Sequence, residues 1–194
     1  VTGVSRNPAG LVKDHANFRV KKGDILDVES VAALVEGHDV VVVSVRGVVP
    51  GAGKPEDSLV YRGVENVVVA LRRAESKARL VHVGGAGSLE IEPGVLLADR
   101  LPRFLLPRDF ELELDGQVMA LEYLRGVSDV TWTVISPPRN LVSGKRSGRY
   151  RTGSDRLLED AKGKSRISRS DFAVALVDEI ENARHLRERF TVAW

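Results

Sequence analysis

The sequence predicts an α/β domain, a doubly wound parallel sheet with helices on both faces. Three observations carry this. Short β-branched runs alternate with longer stretches whose apolar residues recur every three or four positions. Residues 40–43 are four consecutive valines inside a nearly continuous apolar run, as in a strand covered on both faces. Several strand-like runs stop at glycine, serine or proline clusters, and such sheets bind their ligands just beyond the carboxyl ends of the strands.

Residues 1–5 read as a strand, followed by a loop at Asn7-Pro8; 19–21 read as a second strand ending at Gly23. Asp27 is placed to cap a helix over 28–36, with Val31, Leu34 and Val35 facing inward and Gly37 where helices stop. The valine strand spans 39–45, and a glycine-proline loop, 47–55, leads to a helix over 58–75. A strand over 79–83 runs into Gly84-Gly85-Ala86-Gly87. The stretch 90–108 is irregular and proline-containing, 111–125 is helical, and 129–135 is a strand halted by Pro137-Pro138. Short strands are expected at 149–152 and 156–158, and a last one at 190–194. Ser168 and Asp171 form a capping-box pattern ahead of a helix over 172–180. The 194 residues make one domain, with 137–168 as a small segment on the substrate side.

Composition narrows the function. Hydrophobic residues are 43% and charged residues 29%, an ordinary globular balance. No apolar run is long enough to span a bilayer, so no membrane association is expected. There is no cysteine, which excludes disulfides and thiolate chemistry and fits a reducing cytoplasm. His15, His38, His82 and His185 lack metal-site spacing, and His82 reads as a buried, hydrogen-bonded core residue. The net charge is only +2, and the basic run from Arg139 to Arg151 has little aromatic interleaving, so no nucleic acid is expected. Gly51-Ala52-Gly53-Lys54 is not a phosphate loop: Val48 stands where a glycine is required, and Pro55 where a serine or threonine is required.

The strand ends carry the candidate site. Ser5-Arg6 offers an arginine where a dinucleotide fold meets the adenosine ribose, with no acid before Asp14; arginine there suits the 2′-phosphate of NADP(H) over NAD(H). Asp24 can accept from an adenine amino group while Ile25 packs on the ring. Ser44-Val45-Arg46, Gly84-Gly85-Ala86 and Pro137-Pro138 close the other strands, and the glycines let the backbone approach a ligand.

Val4 to Pro8, Gly23 to Asp27, Gly37-His38-Asp39-Val40-Val41, Val83 to Glu90, Ala120 to Leu124, Trp132 to Pro137 and Arg166-Ile167-Ser168 leading to Asp171-Phe172-Ala173 together resemble an atypical short-chain dehydrogenase/reductase group. This is the NAD(P)H-binding or NADH-flavin-reductase-like family, more distantly related to biliverdin-IX-beta/flavin reductase. The resemblance runs almost end to end and implies a Rossmann-like fold. The family opens with a central strand, a glycine-rich turn and a helix that cradle the pyrophosphate. Val1 to Val4 already read as the second strand and Met119 is the only methionine, so that opening is expected upstream, and cofactor binding by these 194 residues is expected to be weak. The family's catalytic serine position falls near Gly85, which leaves Ser88 as the nearest hydroxyl, and no tyrosine has a lysine four residues on. The resemblance therefore implies hydride transfer to a flavin, quinone or similar planar acceptor, which needs stacking and positioning more than a general base. A non-catalytic NADP(H)-binding redox sensor is the alternative, and turnover of NADPH with added flavin separates the two.

Overall fold

The computed structural model describes residues 1–11 and 14–194. Strand β1 (Thr2–Ser5) pairs in parallel with β2 (Arg19–Lys22), forming a two-stranded sheet. Helix α1 (Val28–Val35) follows, and its cap is the expected one: Asp27 Oδ1 accepts from the amides of Glu29 and Ser30 at 3.0 and 3.2 Å. Next come β3 (Val40–Val43), α2 (Leu59–Arg73) and β4 (Arg79–Val83). A small hairpin, β5 (Glu90–Glu92) and β6 (Val95–Leu96), turns at Gly94. Helix α3 (Arg108–Arg125) leads to β7 (Trp132–Ser136), β8 (Asn140–Val142), β9 (Arg151–Gly153) and β10 (Arg166–Ser168). Helix α4 (Arg169–Asn182) and β11 (Glu188–Ala193) complete the fold.

The main sheet has the order β3-β4-β7-β11-β9, parallel except for β9, which runs against β11. Helices cover both faces, as a doubly wound sheet requires. On one face α1, α2 and α3 bury Val35, Val64, Val68 and Leu124 against Leu80 and Val134. On the other, α4 places Phe172 and Ala175 against Val81, Ile135 and Phe190.

Four expectations need correction. The valine strand is not covered throughout. Among the described residues β3 pairs only with β4, and Val42 is 40% exposed because the free edge of β3 faces a cleft shared with β1. The strand also stops at Val43, leaving Ser44 and Val45 in the following loop. Residues 156–158 form only an isolated bridge, Glu90 to Arg156, since β9 has taken the edge of β11. Helix α3 begins at Arg108, directly after Pro107, whose carbonyl accepts from the amides of Phe110 and Glu111. Proline ahead of a first turn loses no helical hydrogen bond, so the helix starts three residues earlier than the expected 111.

Candidate functional site

Two cavities open at the carboxyl ends of the strands. The first, about 500 Å³, lies between β1 and β3. Its floor is apolar, built from Val4, Val31, Leu34, Val42 and Val67, and Ser5, Arg6, Asp24, Ser44 and Arg46 line it with Ile25 and Val45. Seven residues singled out from the sequence therefore meet around one space.

Their placement has local causes. Gly23 lets the chain cross tightly: a Cβ there would stand 2.5 Å from Leu34 Cδ1 and 2.8 Å from Val4 Cγ1. Asp24 Oδ1 accepts from the Leu26 amide at 2.9 Å, so Asp24 makes its turn and lines the cavity at once. Ile25 is held from α2: its carbonyl accepts from Asn66 Nδ2 at 3.0 Å, and its side chain lies over Gly63, where a Cβ would meet Ile25 Cδ1 at 2.7 Å. The Ser5 hydroxyl accepts from the Asn7 amide at 3.3 Å, and Arg6 is exposed beside it.

The second cavity, about 300 Å³, lies beyond β4. Gly85, Ala86 and Gly87 form one wall, Leu97, Leu101 and Leu106 a second, and Phe110, Glu113, Leu114 and Gln117 of α3 a third, with Arg139 at the border. The glycines are close-approach positions. A Cβ on Gly87 would stand 2.2 Å from Leu114 Cδ1, one on Gly85 3.1 Å from Gln117 Cγ, and one on Gly84 3.2 Å from Ser136 Oγ. The cavities are bridged where Arg46, from the first lining, meets Glu113, from the second, at 3.6 Å.

Not every candidate joins them. Ser88 is buried and its hydroxyl donates to the Gly85 carbonyl at 3.0 Å, while its own carbonyl accepts from Arg189; it braces the turn and lines neither cavity. Gly84 supports the turn from behind. Pro137 and the buried Pro138 follow β7 outside both linings, although the next residue, Arg139, belongs to the second. Tyr123 packs edge-on against Tyr61 at 6.1 Å, and its phenol is raised by burial. Tyr150 donates to Asp178 at 2.5 Å, and its phenol is pushed up to about 12, chiefly by burial.

Sequence reasoning missed a buried polar group behind the second cavity. Gln117 Oε1, Ser136 Oγ and both ring nitrogens of His82 are buried without a hydrogen-bond partner. His82 is buried as expected; neither ring nitrogen meets strict hydrogen-bond geometry, but the Val43 backbone and the Gln117 side chain stand close enough to act as polar partners. Burial lowers its pKa to about 4, and the nearby Val43 backbone and Gln117 only moderate that, so the ring is neutral at neutral pH. Each unsatisfied buried polar group costs about 1–3 kcal/mol, so such a cluster beside a cavity asks for an explanation. One signal was available: Phe110, Glu113, Leu114 and Gln117 follow helical spacing, but a helix begun at 111 cuts that stripe short.

The parallel sheet, the helices on both faces and the cavities at the strand ends define a Rossmann-type nucleotide-binding domain. Residues 1–183 match the NAD(P)H-binding family, and the chain belongs to it. Among solved structures it is similar to a Burkholderia pseudomallei protein provisionally named as exported, at 37% identity with a TM-score of 0.81, covering 100% of this chain and 87% of that one. A Bacteroides thetaiotaomicron protein provisionally named as an epimerase is 29% identical, with a TM-score of 0.87 and coverage of 100% and 84%. A Streptococcus pneumoniae protein provisionally named as an NADH-flavin reductase is 27% identical, with a TM-score of 0.76 and coverage of 99% and 86%. Among the described residues no helix is long and apolar enough to cross a membrane.

Proposed function

We propose that the protein is an NADP(H)-dependent reductase of a flavin, quinone or similar planar acceptor, working in a reducing compartment such as the cytoplasm. The observation that carries this reading is the pair of adjoining cavities, one with a polar border and one mostly apolar, in a chain of the NAD(P)H-binding family. The Streptococcus relative's name points the same way.

The polar border of the first cavity suits the adenosine end of the cofactor. Arg6 would pair with a 2′-phosphate, the free oxygen of Asp24 would accept from an adenine amino group, and Ile25 would cover the ring face. Ser44, Val45 and Arg46 extend this border toward the Gly84-Gly85-Ala86 turn. When bound, the reduced nicotinamide supplies a hydride. The second cavity holds the acceptor ring against Leu97, Leu101, Phe110 and Leu114 and excludes water from it, and the balancing proton comes from solvent. Ser88, turned into its own loop, is then a brace of the site and the weakest candidate for a catalytic group. Epimerase chemistry, which the Bacteroides relative's name suggests, calls for a free acid–base group, whereas Glu113 is engaged with Arg46.

The test is oxidation of NADPH and NADH with riboflavin or menadione as acceptor. NADPH should be preferred, and Arg6→Ala should weaken it by about tenfold to a hundredfold, the worth of a charge-assisted hydrogen bond of about 1.5–3 kcal/mol, while barely changing NADH. Equal use of both cofactors would remove the role given to Arg6. Cofactor binding without turnover of any acceptor would identify a redox-sensing module instead.

A further inference from the structure

A third, more open hollow of about 460 Å³ lies where β11 ends, walled by Ser147, Arg149, Tyr150, Arg151 and Trp194. The basic run that holds Lys145, Arg146, Arg149 and Arg151 has one interleaved aromatic in sequence, Tyr150; the fold supplies a second, Trp194, 43 residues beyond Arg151. The aromatic floor is rigid. Asp171, buried in the first turn of α4, accepts from the amides of Ser147 and Gly148 at 2.7 and 2.8 Å, and from the Ser147 hydroxyl and the Trp194 indole at 2.8 Å each. Arg151 donates to the Trp194 carbonyl from Nε at 3.0 Å and from Nη2 at 2.6 Å. The indole is therefore held at both ends while 36% of Trp194 stays exposed. Tyr150 is tied in turn to Asp178. The cations are treated differently. Among the described residues Lys145, Arg146, Arg149 and Arg151 form no ion pair, and the hydrogen bonds of Arg149 and Lys145 go through the backbone alone, to Ser147 and Ser168. The neighbouring carboxylates, Asp171 and Asp178, are engaged in holding the turn and Tyr150.

A fixed indole, the apolar stems of two arginines and guanidiniums free of carboxylates are complementary to a flat ring that carries a phosphate. A neutral ring would forgo the cations, and a bare anion would leave the indole uncovered. The hollow has room for one nucleotide. A strand of nucleic acid needs a longer basic track than a chain of net charge +2 offers. We propose that this hollow is a second nucleotide site, separate from the cofactor's, which takes a nucleoside monophosphate. The base lies on the Trp194 indole, and the phosphate accepts from Arg149 and from Nη1 of Arg151, the nitrogen not used in holding Trp194. Arg166, 5.9 Å from the indole, adds to the positive field. None of the five lining residues lines either cavity described above, so the site stands apart from the reductase reading.

The experiment titrates the 194-residue protein with AMP, adenosine, inorganic phosphate and an oligouridylate. Tryptophan emission reports stacking on Trp194, and equilibrium dialysis with radiolabelled AMP measures binding independently of that signal. The variants are Arg149→Ala, Arg149→Lys and Arg6→Ala. Arg149 is exposed and its side chain holds nothing in place, so its removal leaves the fold intact, as thermal melts check. AMP should quench the emission saturably, with adenosine and phosphate each binding at least about tenfold more weakly. Arg149→Ala should weaken AMP by at least about tenfold and Arg149→Lys by less, whereas Arg6→Ala should change it less than about twofold. Binding that follows Arg6 and not Arg149 would put AMP in the first cavity and overturn the assignment. Phosphate binding as tightly as AMP would reduce the hollow to an adventitious anion site only. An oligouridylate that binds where AMP does not, or no AMP binding at all, would likewise overturn it. Absence of NADPH oxidation would sink the reductase reading and leave this one standing.

Discussion

Strand β4 carries two buried ionisable side chains, Arg79 at its start and His82 near its end, and the protein treats them in opposite ways. Arg79 is saturated. Its guanidinium donates to Thr133 Oγ1 at 3.2 Å, to Glu179 Oε1 at 2.9 Å, and to the carbonyls of Glu179 and Ile180 at 2.8 and 3.1 Å. Glu179 is also met by the amide and ring of His185, and Thr133 donates to the His185 carbonyl. This network ties the last turn of α4 to the base of the sheet, adding to the Ala183 amide that already meets the Glu179 carbonyl. His82, by contrast, has only loose polar neighbours, the Val43 backbone and Gln117, and Ser136 Oγ has none within hydrogen-bond reach. The contrast separates two uses of buried polarity. At the base, every group is spent on holding the fold. At the carboxyl ends, groups are left unspent beside the cavities, at a cost in stability.

Breaking the saturated end should have the largest effect. Glu179→Ala leaves Arg79 buried without its carboxylate and should lower stability by about 3–5 kcal/mol in urea unfolding. Replacing both, Arg79→Met with Glu179→Leu, should recover most of that loss. A loss under about 1 kcal/mol for the single variant would show that the network is dispensable.

The unsaturated end should appear first as a pH effect. His82 has a folded pKa of about 4 against an ordinary value of 6.5, so below 6.5 the unfolded chain binds a proton that the folded one does not. Stability from this source is complete above about pH 6.5 and is lost as pH falls toward 4, by about 3 kcal/mol. His82→Leu should remove this slope and be close to neutral in stability at pH 7. The carboxylates of Asp129 and Asp171 are held below their ordinary value and lose their contribution at lower pH, so they leave this window clear. Identical pH profiles for the two proteins would contradict the assignment.

The smallest change belongs to Ser136→Ala. The hydroxyl has no partner to lose, so stability should stay within about 0.5 kcal/mol of the parent. A loss of 1 kcal/mol or more in the same urea experiment would reveal a bond that Ser136 makes after all.

Legibility in the sequence followed the range of the interactions. The valine strand, the Asp27 cap and the amphipathic α2 announce themselves within a few residues. The rule that ligands gather at strand ends then brought Ser5, Arg6, Asp24, Ile25, Ser44, Val45 and Arg46 to one cavity without any knowledge of contacts. Strands β5, β6, β8 and β10 have only two or three residues each, too few to display a period; β5 and β6 exist by closing on each other in a tight hairpin, β8 and β10 by pairing across a long stretch of chain. The polar cluster failed to register for a related reason. A glutamine on a helix reads as solvated, and only packing against Gly85 and His82 buries the Gln117 oxygen. His82 looked like a satisfied core histidine because most buried histidines are satisfied; its missing partners are a property of the assembled site.

The tether at the last residue gives the protein a built-in optical reporter. Burial alone would raise the Asp171 carboxyl, but hydrogen bonds from the Trp194 indole, Gly148 and Ser147 outweigh it and hold the group well below the carboxylate range. Trp194 is partly exposed, with the Arg166 guanidinium 5.9 Å from its ring, whereas Trp132 is enclosed in the core and donates to the Val127 carbonyl. The two tryptophans therefore sit in environments of different polarity, and the emission of Trp194 should lie to the red of that of Trp132. Trp132 follows the core; Trp194 follows the attachment of the 147–148 turn to α4, so release of that turn is visible as a red-edge change while the blue edge stays constant.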